Sequence, residues 1–223
     1  AIPSDVDSAI NFLVRLKDLR SKANSGKLPT AAEACFSIQA IVNNIQSRLD
    51  RLISLEFESS GNDSLQNFLT NEFTTMFEEV TAWCKETAQL TGVDFEALIP
   101  LRQRTLSPSD YGFHNTLRRD DSEIVFLDFE YFGWDDPAKM ISDFLLHPGS
   151  ELEGGLKHHF ADNIIRAFNE YSNLSSRVRV VYPLFGLKWC LIILNEFLPE
   201  HILRRGFVGD LGGGAALLND CLN

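Results

Sequence analysis

The sequence predicts a mainly α (α+β) protein, a helical bundle carrying one small β-hairpin. Three observations lead there. Apolar residues recur at steps of three and four over most of the 223 residues. One stretch, 116–128, carries the strand signature of short apolar runs about a polar turn. Residues 183–197 are apolar nearly all round, as expected of a buried central helix. With neither a repeat nor a linker, residues 1–223 read as a single domain.

From Ser4 to about Ala23, Ala9, Phe12, Leu13, Leu16 and Leu19 form one stripe, with Ser4 and Asp7 at the spacing of an N-terminal capping pair. Gly26 and Pro29 break the pattern. Thr30 and Glu33 then read as a capping box for a second helix through Ile38, Ile41, Val42, Ile45, Leu49 and Leu52. A polar loop at 59–63 precedes a third helix, through Leu65, Phe68, Leu69, Phe73, Met76, Phe77, Val80 and Cys84. These stripes are core. Thr116–Leu117 and Glu123–Asp128 form the hairpin, turning at Arg119, Asp120 and Asp121. Asp136 and Pro137 start the next helix as N-cap and first helical residue. Further helices fit 152–170, 183–197 and 199–205, and Gly212–Gly214 reads as a connector.

Composition excludes several function classes. A formal charge of −11 argues against nucleic acid as a partner, since that needs a basic surface. The 17 Phe, 4 Tyr and 3 Trp argue against a disordered chain. No apolar run approaches membrane-spanning length, the most apolar, Trp189–Leu194, being bracketed by Lys188 and Glu196. Cys35, Cys84, Cys190 and Cys221 are widely spaced and read as buried thiols of a cytoplasmic protein. His158 and His159 are adjacent, so they point to different sides of a helix and make a poor metal pair. The chain opens at Ala1 without an initiating Met, as a fragment or a processed product does.

The chemistry concentrates in Leu106-Ser-Pro-Ser-Asp-Tyr-Gly-Phe-His-Asn115 and Phe126-Leu-Asp-Phe-Glu130. Asp110, Asn115 and Asp128 fall on loops beside the hairpin. Phosphoryl transfer calls for such a set: one carboxylate to orient a hydroxyl and take its proton, a second carboxylate and an amide oxygen to hold Mg²⁺. Segment 107–148 holds nine acidic residues against three basic ones, a local net of −6, which suits a cationic or amine-bearing substrate or a solvated acidic face.

The D-x-x-x-x-N loop, the 18-residue step to Asp128, Glu130 and Phe132-Gly-Trp-Asp-Asp-Pro137 together resemble the aminoglycoside-phosphotransferase and choline-kinase family, over residues 106–147. The resemblance implies a protein-kinase-like C-terminal lobe. It implies Asp110 as catalytic base, and Asn115 and Asp128 as Mg²⁺ ligands in the nucleotide site. It implies ATP or GTP as donor and a small-molecule hydroxyl as acceptor. Glu130, Asp136, Asp143 and His114 have roles open between site and scaffold. The family's loop His and Gly fall at Pro108 and Ser109, and a helix Asp falls at Met140. Residues 1–92 hold neither the phosphate-covering hairpin nor the strand Lys of such kinases, their glycines (Gly26, Gly61, Gly92) being scattered. The expectation is a lobe inactive by itself. The alternative is a catalytically inactive kinase-like binding module.

Overall fold

The structure, a computed structural model, describes residues 1–21, 27–55, 62–120, 123–150 and 152–198. It is mainly helical, with two small antiparallel two-stranded sheets. Helix α1 (Pro3–Leu19) buries Val6, Ala9, Ile10, Leu13 and Leu16. Leu19, expected in that stripe, is exposed, because the helix ends there and the core lies one turn back.

Helix α2 (Ile38–Ile53) is capped by Ser37, whose hydroxyl accepts the Ala40 amide at 3.1 Å. The Thr30–Glu33 capping box is therefore not used. Glu33 sits in the left-handed region, and its carboxylate takes Arg48, Asn44 and Lys188 instead. The third predicted helix is a chain of α3 (Asn62–Asn67), a π-helical turn (Phe68–Phe73) and α4 (Thr74–Thr91). It ends at Gly92, with φ at 68°, which glycine adopts without penalty.

The last three helices are α5 (Pro137–Leu146), α6 (Gly154–Ala167) and α7 (Leu174–Leu194). Asp136 caps α5 as expected, accepting the Ala138 amide at 2.8 Å. Helix α7 corrects the reading of 183–197: it begins nine residues earlier, and Pro183 lies inside it. An internal proline costs about 3 kcal/mol. Burial of Leu184, Phe185, Leu187 and Leu191, each contributing about 1.5–3 kcal/mol, outweighs it. As predicted, α7 is central, packing on α2, α4 and α5. The expected helix 199–205, the connector Gly212–Gly214 and Cys221 lie outside the described residues. Cys84 is buried and Cys35 half-buried, but Cys190 is exposed, contrary to the expectation of buried thiols.

The predicted hairpin is present as β2 (Thr116–Arg118) and β3 (Ile124–Phe126). The second sheet, β1 (Thr105–Ser107) against β4 (Gly133–Asp135), carries no readable three-residue signal. Its register, Leu106 opposite Trp134, sets the loop after β1 beside the start of α5. Gly133 is required here. A Cβ on it would lie 2.5 Å from the Pro29 oxygen and the Ala31 nitrogen, because residues 29–31 run along β4 and exchange hydrogen bonds with Trp134. Among the described residues no helix is long and apolar enough to cross a membrane.

Candidate functional site

The loop that leaves β1 is anchored in the core by Tyr111. Its ring stacks among Phe12, Phe126 and Phe144, and its hydroxyl donates to the Ala9 carbonyl at 2.8 Å. Burial pushes that phenol well above its usual range. Two residues before it, Ser109 holds a left-handed conformation, φ 68°. The strain, about 1 kcal/mol for a residue with a Cβ, is offset by bonds at both ends. The Ser109 hydroxyl donates to the Ala32 carbonyl at 2.6 Å, and its amide to Ser107 Oγ at 3.0 Å. Lys139 Nζ reaches the same hydroxyl at 3.4 Å.

With Ser109 and Tyr111 fixed, the half-buried Asp110 faces outward. Its Oδ1 accepts from His114 Nε2 at 3.0 Å, and its Oδ2 from Asn115 Nδ2 at 3.1 Å. Asn115 Nδ2 also donates to the Asp110 carbonyl at 3.1 Å. With the nitrogen so engaged, the opposite end of the amide, Oδ1, turns away from Asp110. The hydrogen bond from His114 holds the Asp110 carboxyl below its ordinary range, against the opposing pull of burial.

The hairpin brings Asp128 to the same end. The Leu127 amide donates to the Asn115 carbonyl at 2.9 Å, one step beyond the Thr116–Phe126 pair. Asp128 follows, exposed, with φ at 60°. The strand thus ends two residues before Asp128, not at it. A left-handed aspartate costs energy and is often found where function needs it. The Tyr131 hydroxyl hydrogen-bonds to Glu130 and is pushed above its usual range, first by that bond and then by the negative charges of Glu130, Asp128 and Asp110. The sequence-predicted residues Asp110, Asn115 and Asp128 therefore share one edge of the molecule.

Other acidic residues belong to the scaffold. Asp135, fully buried, and Asp143 flank Lys139 Nζ at 2.9 and 3.1 Å. Burial opposes charge on that lysine, but the two carboxylates outweigh it and raise its pKa. Asp136, besides capping α5, takes Arg177 at 2.6–2.7 Å. Asp143 also accepts from Trp189 Nε1 at 3.1 Å. Asp135, Asp136 and Asp143 are thus paired with cations inside the protein, whereas Asp110 is half-buried and Asp128 and Glu130 are exposed.

Sequence reasoning missed His147, at the C-terminal end of α5. Its ring stacks on His114, centroids 3.7 Å apart and planes within 5°, and meets Trp189 in a T-shaped contact, centroids 4.6 Å apart. Its Nε2 lies 4.0 Å from Asp110 Oδ1. One ligand atom from each of Asp110, His114 and His147 falls within 4.8 Å of the others, compact enough for a transition-metal ion. His147 Nδ1, however, accepts the Gly149 amide at 3.0 Å, so in the neutral ring Nε2 carries the proton. A ligating imidazole donates from its second nitrogen; this one accepts there. Desolvation lowers the His147 pKa, with the charge of His114 adding to it, so the ring is held neutral. The other paired histidines diverge as expected, His158 to the Gly154 carbonyl and His159 to Asp7.

No protein-family model matches this chain, and no curated protein matches it. Function therefore rests on the site itself.

Proposed function

We propose that this chain is the catalytic lobe of a small-molecule phosphotransferase of the protein-kinase-like type, akin to aminoglycoside and choline kinases. ATP or GTP is the donor and a hydroxyl of a small molecule the acceptor. The observation that carries the reading is the state of Asn115. Its side-chain nitrogen is committed to Asp110, which leaves its amide oxygen on the side away from Asp110, and its backbone carbonyl is tied to the residue before Asp128. An amide oxygen and an exposed carboxylate are the hard donors that Mg²⁺ prefers, and a site of this type takes few of them from protein. The ion supplies charge neutralisation between the donor's phosphates.

Asp110 is the base. The acceptor's O–H proton passes to its carboxylate as the oxygen bonds to the γ-phosphorus. The bond from that phosphorus to the bridging oxygen breaks, and the nucleoside diphosphate leaves with those electrons. The donors on Asp110 fix the direction of its lone pairs, so catalysis is chiefly positioning. Leu117 and Leu127, both exposed, flank Asn115 and Asp128 and offer an apolar floor for a nucleobase. The outward carboxylates Asp110, Asp128 and Glu130 suit an acceptor with a cationic group. A cytoplasmic setting, where nucleotide is supplied and thiols stay reduced, goes with this reading.

Kinases of this type close over the phosphates with a hairpin and a strand Lys. The test therefore uses the full-length protein and a panel of hydroxyl acceptors. Asp110→Ala is expected to lower turnover by about 10²-fold or more with Mg²⁺–nucleotide affinity retained. Unchanged turnover overturns the assignment. An inactive binding module instead gives nucleotide affinity with no transfer to any acceptor.

A further inference from the structure

Two imidazoles stand beside Asp110 where one hydrogen bond would suffice, and the fold makes room for both. Gly112 has extended backbone that any residue adopts, yet a Cβ there would lie 2.7 Å from the His114 ring. A Cβ on Gly149 would lie 3.3 Å from both His114 and His147. Backbone is thus kept clear around the pair. His147 is oriented by three partners: the Gly149 amide on Nδ1, Trp189 in a T-shaped contact, and the stacked His114 ring. Trp189 is itself fixed by its bond to Asp143, which pairs with buried Lys139. A continuous set of contacts therefore runs from the buried ion cluster of α5 to the carboxylate of Asp110.

We propose that His147 is a positioning residue for the Asp110 base, acting through His114. The flat face of His147 fixes the plane of the His114 imidazole, so that His114 Nε2–H stays aligned on Asp110 Oδ1 at 3.0 Å. Asn115 holds Oδ2 from the other side. Without the stack, His114 regains freedom about its side-chain torsions and the carboxylate loses one of its two orienting donors. The catalytic part of the proposal rests on the assignment of Asp110 as base; the structural part does not.

The test separates the two. In the ¹⁵N-histidine-labelled chain, the His114 Nε2–H proton is expected as a resonance protected from solvent exchange, identified by its loss in His114→Gln. His147→Phe keeps a flat ring without nitrogens, and His147→Leu keeps similar bulk without flatness. Near-UV circular dichroism and melting temperature verify that both fold. The resonance is expected to persist in the Phe variant and to vanish in the Leu variant. In the full-length protein, His147→Leu is expected to lower kcat by on the order of tenfold to a hundredfold, with KM for Mg²⁺–nucleotide unchanged and His147→Phe near wild type. A protected resonance in His147→Leu overturns the proposal, as does its loss in both variants. If Asp110→Ala leaves turnover intact, the base assignment falls while the resonance still decides the stacking role. If Asp110→Ala abolishes turnover and His147→Leu matches wild type, only the present inference falls.

Discussion

Replacing Lys139 by Met removes the one cation between two carboxylates that have little access to water. Lys139 is 1 % exposed, and the Asp135 and Asp143 side chains are 0 % and 12 % exposed, at 2.9 and 3.1 Å from it. Breaking a buried pair from one side leaves its partner charged and poorly solvated, at a cost of about 3–5 kcal/mol. That is a large share of the roughly 5–15 kcal/mol that stabilises a whole domain. The cost should depend on pH in a defined sense. Lys139 is held protonated across the neutral range, so the wild-type interaction persists there. In the variant, Asp135, whose pKa burial already raises, loses its compensating cation. The native variant then keeps a proton on Asp135 that the unfolded chain has released, so its stability falls as pH rises and recovers as pH falls. Urea unfolding of both proteins across pH 5 to 8 reads the difference directly. A loss below about 1 kcal/mol at pH 7, the level of an exposed ion pair, or one that does not shrink on acidification, would refute the reasoning.

Three other outcomes follow from particular residues. Gly133→Ala drives a Cβ into the backbone of residues 29–31 at 2.5 Å, and should cost about 1–3 kcal/mol or more; an unchanged melting temperature excludes the close approach. Ser109→Ala keeps the left-handed strain and loses the hydroxyl bonds, while Ser109→Gly loses the bonds but relieves the strain. The Gly variant should be the more stable of the two by about 1 kcal/mol, and equal stabilities measured by denaturation exclude strain at this position. Burial of Glu33 favours its neutral form, but Arg48, Lys188 and Asn44 outweigh that and lower its pKa to about 2. A folded-state pKa depressed from 4.5 contributes stability that is complete above 4.5 and disappears as pH falls toward about 2. Glu33→Gln should thus be less stable than wild type at neutral pH, by under about 1 kcal/mol because the side chain is 44 % exposed. The two melting temperatures should converge on acidification, and a gap that widens there excludes the assignment.

The helical class, the hairpin and the start of α5 are legible in the residues, because each is written in local terms. Heptad-like spacing specifies α2, alternation about a polar turn specifies β2–β3, and an Asp-Pro pair specifies the α5 cap. The polar set Asp110, Asn115 and Asp128 was legible for a similar reason: the loop and the hairpin that join them are close in sequence. Tertiary structure decided what depends on neighbours distant along the chain. Pro183 could be passed through by α7 because burial against α4 and α5 outweighs a broken helical bond, a balance no local window contains. Ser37, rather than Thr30, became the cap because residues 29–31 were drawn onto β4. The cap role of Asp136 was legible, but its pairing with Arg177, and the sharing of Lys139 by Asp135 and Asp143, depend on the packing of α5 and α7. His147 stands 33 residues from His114, and only the packing of α5 beside the β1 loop lays one ring on the other. Periodicity reports which face of an element is buried; which side chains meet across two buried or converging faces is set by the fold, since it depends on the relative placement of whole elements.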